Sequence, residues 1–137
     1  MVKSRGRVIE TELRVRYAET DAMGIVHHSN YLIWFEAGRS DYLFQQGHSY
    51  SEIEEEGFHL PVAEAYVRFM QPALYGDLVV IRTWVEELGS RKVTFSYEAL
   101  RQSTNEILAK GYTKHICTNS DEQIVIIPQK MRDLLRQ

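Results

Sequence analysis

From residue 12 to 17 the chain alternates, with Leu13, Val15 and Tyr17 on one side and Glu12, Arg14 and Arg16 on the other. That period predicts a half-buried strand. Residues 18–28 follow neither a helical nor a strand period and contain Gly24, so a loop is expected. A helix is predicted over about 31–46, with Ser29 or Asn30 as its N-cap and Gly47 just past its end. Its opening run, Tyr31-Leu32-Ile33-Trp34-Phe35, is apolar on every side, which predicts burial all round. No second long helix exists to cover it, so a sheet must. Gly38 in mid-helix costs about 1 kcal/mol relative to alanine, and close packing against a strand would explain it. Residues 50–57, with four glutamates, predict a short solvated helix or turn.

Strand patterns fill the rest. Ala63, Ala65, Val67 and Phe69 share one face, and the alanines would let a helix come close. Further strands are expected over 78–86, 93–99 and 107–118, with a short last one at 124–127. Turn residues cluster at 72–77, 88–90, 103–105 and 121–122, and Pro128 suits the first position of a terminal helix. One strand, one long helix and a run of antiparallel strands make an α+β layout in a single domain, 1–137. A sheet around one helix leaves its outer face open. Leu78, Val80, Trp84, Leu100 and Ile116 on that face predict a second subunit.

Composition narrows the function classes. With 137 residues, 44% hydrophobic and 26% charged, the chain has the makeup of one soluble domain. A net charge of −3 argues against a nucleic-acid partner. Cys117 stands alone, which excludes an intrachain disulfide and fits a reducing compartment. The basic start lacks the apolar core of a signal peptide, and no apolar run nears the ~20 residues of a membrane span. A cytoplasmic protein without membrane association is expected.

Candidate chemistry is sparse. His27, His28, His48, His59 and His115 have no chelating spacing, and adjacent histidines in an extended loop point apart, so no metal is expected. No nucleophile elbow or phosphate loop is present, and Cys117 in a strand pattern reads as a buried small hydrophobe. Asp21 has two readings. Asp-Ala-Met-Gly is an ordinary turn, but a helix N-terminus follows closely, with free N–H groups that can polarise a carbonyl. A carboxylate beside them could attack that carbonyl or activate water. Glu36, inside the helix, is a rival acid, or simply an ion pair with Arg39 three residues on.

The motif Tyr17-x-x-Thr20-Asp21-x-Met23-Gly24-x-Val26-x-His28-x-Asn30-Tyr31, followed by Phe35-Glu36-x-x-Arg39, resembles the hot-dog-fold acyl-CoA thioesterases of the 4-hydroxybenzoyl-CoA thioesterase type. The likeness returns at Pro72-Ala73-x-Tyr75-Gly76-Asp77. It implies a long helix wrapped by an antiparallel sheet, dimers as the minimal unit and often homotetramers, with the active site between subunits. It implies Asp21 as nucleophile or general base, and the backbone N–H of His28 as oxyanion hole. Tyr17 would bind substrate, and Arg91 and Lys92 would meet the CoA phosphates unless they are only a solvated hairpin. The substrate implied is an acyl-CoA, with no cofactor. A non-catalytic acyl-thioester binding subunit of the same fold is the alternative. One departure is His27, where relatives often carry an aromatic residue.

Overall fold

The computed structural model describes residues 6–45 and 49–136. Gly47, expected to follow the long helix, lies outside the described residues. The elements run β1 (Ile9–Arg14), α1 (Asn30–Phe44), α2 (Ser49–Glu55), β2 (Val62–Phe69), β3 (Leu78–Leu88), β4 (Lys92–Arg101), β5 (Ile107–Ile116) and α3 (Gln129–Leu135). The five strands form one antiparallel sheet in the order β1-β3-β4-β5-β2, curled round α1. This is the α+β hot-dog architecture.

The helix fits the sheet through small residues and aromatic rings. A Cβ at Gly38 would collide with the side chain of Thr83 and stand 3.0 Å from Ile81 Cγ2, so the expected close packing against a strand is observed. Gly111 on β5 similarly leaves room for Phe35, whose ring stacks on Tyr97 at 4.4 Å. Tyr42 meets Phe95 edge-on at 5.7 Å. Phe35 and Tyr42 are fully buried, and each contributes on the order of 2 kcal/mol by leaving water.

Four details differ from the sequence expectation. The first strand lies earlier, at Ile9–Arg14, because its register with β3 ends at Arg14 opposite Leu78. Tyr17 therefore leaves the buried face: Tyr17–Glu19 is a 3-10 turn and Tyr17 is 76% exposed. The helix is not buried all round. Tyr31, Trp34 and Phe35 are buried, but Leu32 and Ile33 are 41% and 54% exposed, because the chain's own sheet covers only one side of the helix. The sheet's outer face is less open than expected: Trp84 and Leu100 are buried, and Leu100 pairs with Val80 across the strands. Exposed apolar side chains gather instead along β2, at Val62 and Phe69, next to Leu32 and Ile33. Finally, residues 124–127 form no strand; Val125 N–H donates to Cys117 and Ile127 N–H to Ser90.

Candidate active site

The loop between β1 and α1 is closed by its own backbone. Thr20 and Val26 bridge, Asp21 N–H donates to Ile25 at 2.8 Å, and Gly24, at φ +76°, turns the chain where a side chain would be strained. Asp21 Oδ1 accepts from the N–H of Met23 at 2.8 Å and of Ile25 at 3.2 Å. This is the Asx turn anticipated from Asp-Ala-Met-Gly. Among the described residues Asp21 Oδ2 accepts no hydrogen bond.

The helix start is tight. Asn30 N–H donates to His27 at 3.0 Å, Tyr31 N–H to His28 at 3.3 Å, and Ser29 N–H to His27 Nδ1 at 3.3 Å. His28 is the exception: among the described residues its backbone N–H finds no acceptor. Ser29 occupies the N-cap position, as expected, but neither its side chain nor that of Asn30 accepts from the first turn. Ser29 has helical backbone angles and its hydroxyl bonds His27 Nδ1 at 2.8 Å, while Asn30 Nδ2 donates to the carbonyls of Glu19 at 3.0 Å and His27 at 3.2 Å. The same turn stacks the rings of His27 and His28 with centroids 4.2 Å apart, where an extended loop was expected to splay them.

Asp21, His27 and His28 open into one cavity of about 370 Å³, whose other walls include Tyr31, Phe69 and Met70. Phe69 packs edge-on against Tyr31 at 5.1 Å and His28 at 6.3 Å. Burial pushes the Tyr31 phenol above its ordinary pKa, against the Ala73 N–H that donates to it, so it stays protonated. The later motif, 72–77, braces this wall. Val26 N–H donates to Ala73 at 2.9 Å, and Arg101 ties Asp77 (3.0 Å) and the Pro72 carbonyl (2.6 Å) together.

The remaining candidates lie elsewhere in the protomer. Tyr17 sits outside the cavity, edge-on to Tyr75 at 5.7 Å. Arg91 and Lys92 lie at the β3–β4 turn, level with the Val62 end of β2 across β5, whereas Phe69 ends that strand at the cavity. The two ends are roughly 20 Å apart at 3.3 Å per residue. Glu36 is exposed and lines two other clefts with Arg39, neither of which Asp21 reaches. The expected Glu36–Arg39 ion pair is absent among the described residues; Arg39 donates to the Tyr97 hydroxyl at 3.0 Å. Cys117 is buried as anticipated, and burial raises its thiol pKa. No helix among the described residues is long and apolar enough to cross a membrane.

A fold and a site of this kind have relatives. The chain belongs to the thioesterase-like superfamily, whose family model matches residues 15–135. It is similar to YneP of Bacillus subtilis, 37% identical over 114 residues that cover 83% of this chain and 82% of that one. It is also similar to the acyl-CoA thioesterase YbgC of Haemophilus influenzae, 29% identical over 108 residues and 78% of each chain. Among solved structures, the DHNA-CoA thioesterase of Staphylococcus aureus superposes with a TM-score of 0.79 at 35% identity, covering 88% of this chain and 79% of that one.

Proposed function

We propose that this protein hydrolyses an acyl-CoA thioester to the free acid and CoA. One observation carries the proposal: Asp21, with a carboxylate oxygen that accepts no hydrogen bond, and His28, with a backbone N–H that finds no acceptor among the described residues, line one aromatic-walled cavity. Asp21 Oδ2 takes a proton from water as the water oxygen bonds to the thioester carbon, or bonds to that carbon itself and forms an anhydride that water then opens. The carbonyl oxygen becomes an oxyanion held by the His28 N–H at the positive end of α1. Its collapse breaks the C–S bond, and CoA leaves as a thiolate that needs little acid assistance. Tyr17, four positions before Asp21 but outside the cavity, would meet substrate only beyond its walls.

The unpaired edge of β2, flanked by Leu32 and Ile33, supports a homodimer formed by antiparallel β2–β2 addition, and from it a tetramer. The two-fold would set the Val62 end of one β2 against the Phe69 end of the other. Val62 pairs with His115, and His115 with Val93, so Arg91 and Lys92 of the partner subunit would stand at the cavity mouth to meet CoA phosphates. A cytoplasmic setting accords with the free Cys117.

The test is thiol release from a panel of acyl-CoAs. The wild type should turn over at least one, and Asp21→Asn should lower kcat by about 100-fold or more. An Asn variant as active as the wild type removes Asp21 from the chemistry. A wild type that binds acyl-CoA but releases no thiol is a binding subunit instead.

A further inference from the structure

Glu19 is a buried acid next to the candidate site, and nothing in the proposed chemistry uses it. Its carboxylate reaches in two directions. Oε1 accepts from the Arg16 N–H at 2.7 Å, which closes the 3-10 turn before Asp21. Oε2 accepts from the indole Nε1–H of Trp34 on α1 at 2.8 Å, with Arg16 Nη2 at 3.5 Å. The main-chain carbonyl of the same residue accepts from His27 N–H at 2.8 Å and from Asn30 Nδ2 at 3.0 Å. Glu19 therefore touches both ends of the catalytic loop and the first turns of the helix. Burial by itself would raise its pKa, but the hydrogen bonds from Arg16 and Trp34 hold the net value below that of an ordinary glutamate. It is a fixed anion at working pH.

Asp21 and the His28 N–H stand at opposite ends of one loop, on either side of the turn at Gly24. Catalysis by the pair requires both to face one carbonyl, and an error of about 1 Å costs on the order of 100-fold in rate. We infer that Glu19 is a positioning residue: through Trp34 its carboxylate fixes the Asp21 loop in register with the N-terminus of α1. This rests on the hydrolase reading of Asp21.

Two substitutions test it, Glu19→Gln and Trp34→Phe. The first exchanges an acceptor oxygen for an amide that cannot face two donors; the second keeps a ring but removes the indole donor. Thiol release is measured against acyl-CoA concentration, together with thermal unfolding. Each variant should lose roughly 10- to 100-fold in kcat, with KM within about 2-fold of the wild type and the acid limb of the pH profile unmoved. In an Asp21→Asn background, Glu19→Gln should cost almost nothing more, because the group it orients is gone. A loss that falls only on Tm or KM, or that is fully additive with Asp21→Asn, overturns the positioning role. Wild-type kcat in both variants does so too. If Asp21→Asn is inactive while both variants turn over normally, only this inference fails; if the wild type releases no thiol, the hydrolase reading fails as well.

Discussion

Lowering the pH from 7 to about 4.5 should drain stability through His115. This residue faces α1 from β5 and has no exposed surface. Its Nδ1 is 2.8 Å from the Leu60 carbonyl, which can only accept, so Nδ1 carries the proton and Nε2 accepts from the Thr113 hydroxyl at 2.7 Å. Thr113 in turn accepts from the Tyr97 hydroxyl at 2.6 Å, and Tyr97 from Arg39. Every site on the neutral ring is used, and a second proton would leave two donors facing each other. Burial pulls the His115 pKa from 6.5 to about 4; the Leu60 carbonyl opposes the shift and Arg39 adds to it. The unfolded chain therefore takes up a proton near 6.5 and the folded chain only near 4. Between those values the unfolded state binds more protons, so the contribution is whole above 6.5 and is lost as pH falls toward 4. The full gap is worth about 3 kcal/mol, of which about 2 kcal/mol is gone by pH 4.5. A domain's whole stability is typically about 5–15 kcal/mol. Glu19, whose pKa is lowered from 4.5, gives up its share only below this window. Urea unfolding of the wild type and His115→Gln at both pH values isolates the effect, since glutamine keeps a donor and an acceptor but does not titrate. The wild type should lose about 2 kcal/mol more than the variant. Parallel losses would refute the reasoning.

Other outcomes follow from single contacts. Thr83 Oγ1 is buried without a hydrogen-bond partner among the described residues, so Thr83→Val should raise stability by about 1 kcal/mol in urea unfolding, where an ordinary buried hydroxyl would make the change costly. In light scattering after size exclusion the wild type should run as a dimer or larger, and Ile33→Glu, which charges the exposed helix face, should shift it toward monomer; a monomeric wild type would remove the shared-site geometry.

How far the sequence carried depended on how local each cause was. The strands from β2 to β5 announce themselves through alternation and turn residues, and Gly38 signals a close helix–strand contact that the structure bears out. The apolar run 31–35 misled, because its pattern sums two environments: Tyr31, Trp34 and Phe35 are buried, whereas Leu32 and Ile33 stay exposed beside Val62 at the open edge of the sheet. Periodicity cannot separate a face covered by the same chain from one left bare. Likewise Ser29 and Asn30 have cap-forming side chains, but the nearer partners are His27 and Glu19, which tertiary folding brings there. Glu19 drew no notice because its acceptor role depends on Trp34, fifteen residues away on a different element. Asp21 was visible as a turn former and as a neighbour of a helix start; that the turn engages only one of its oxygens depends on how the loop closes at Ile25.

The strand order has a consequence for the growing chain. β1 pairs with β3, and β2 with β5, so neither strand made in the first 77 residues has a partner among those residues. Every side chain bordering the cavity, from Asp21 to Pro72, is synthesised before β3, β4 and β5, the three strands that complete the sheet. Until β4 emerges, Phe35 and Tyr42 lack the Tyr97 and Phe95 rings they pack on, and the late strands must close loops of long sequence separation to reach the early ones. The site is thus written first and assembled last, and a ribosome that stalls midway releases its apolar half without its shelter.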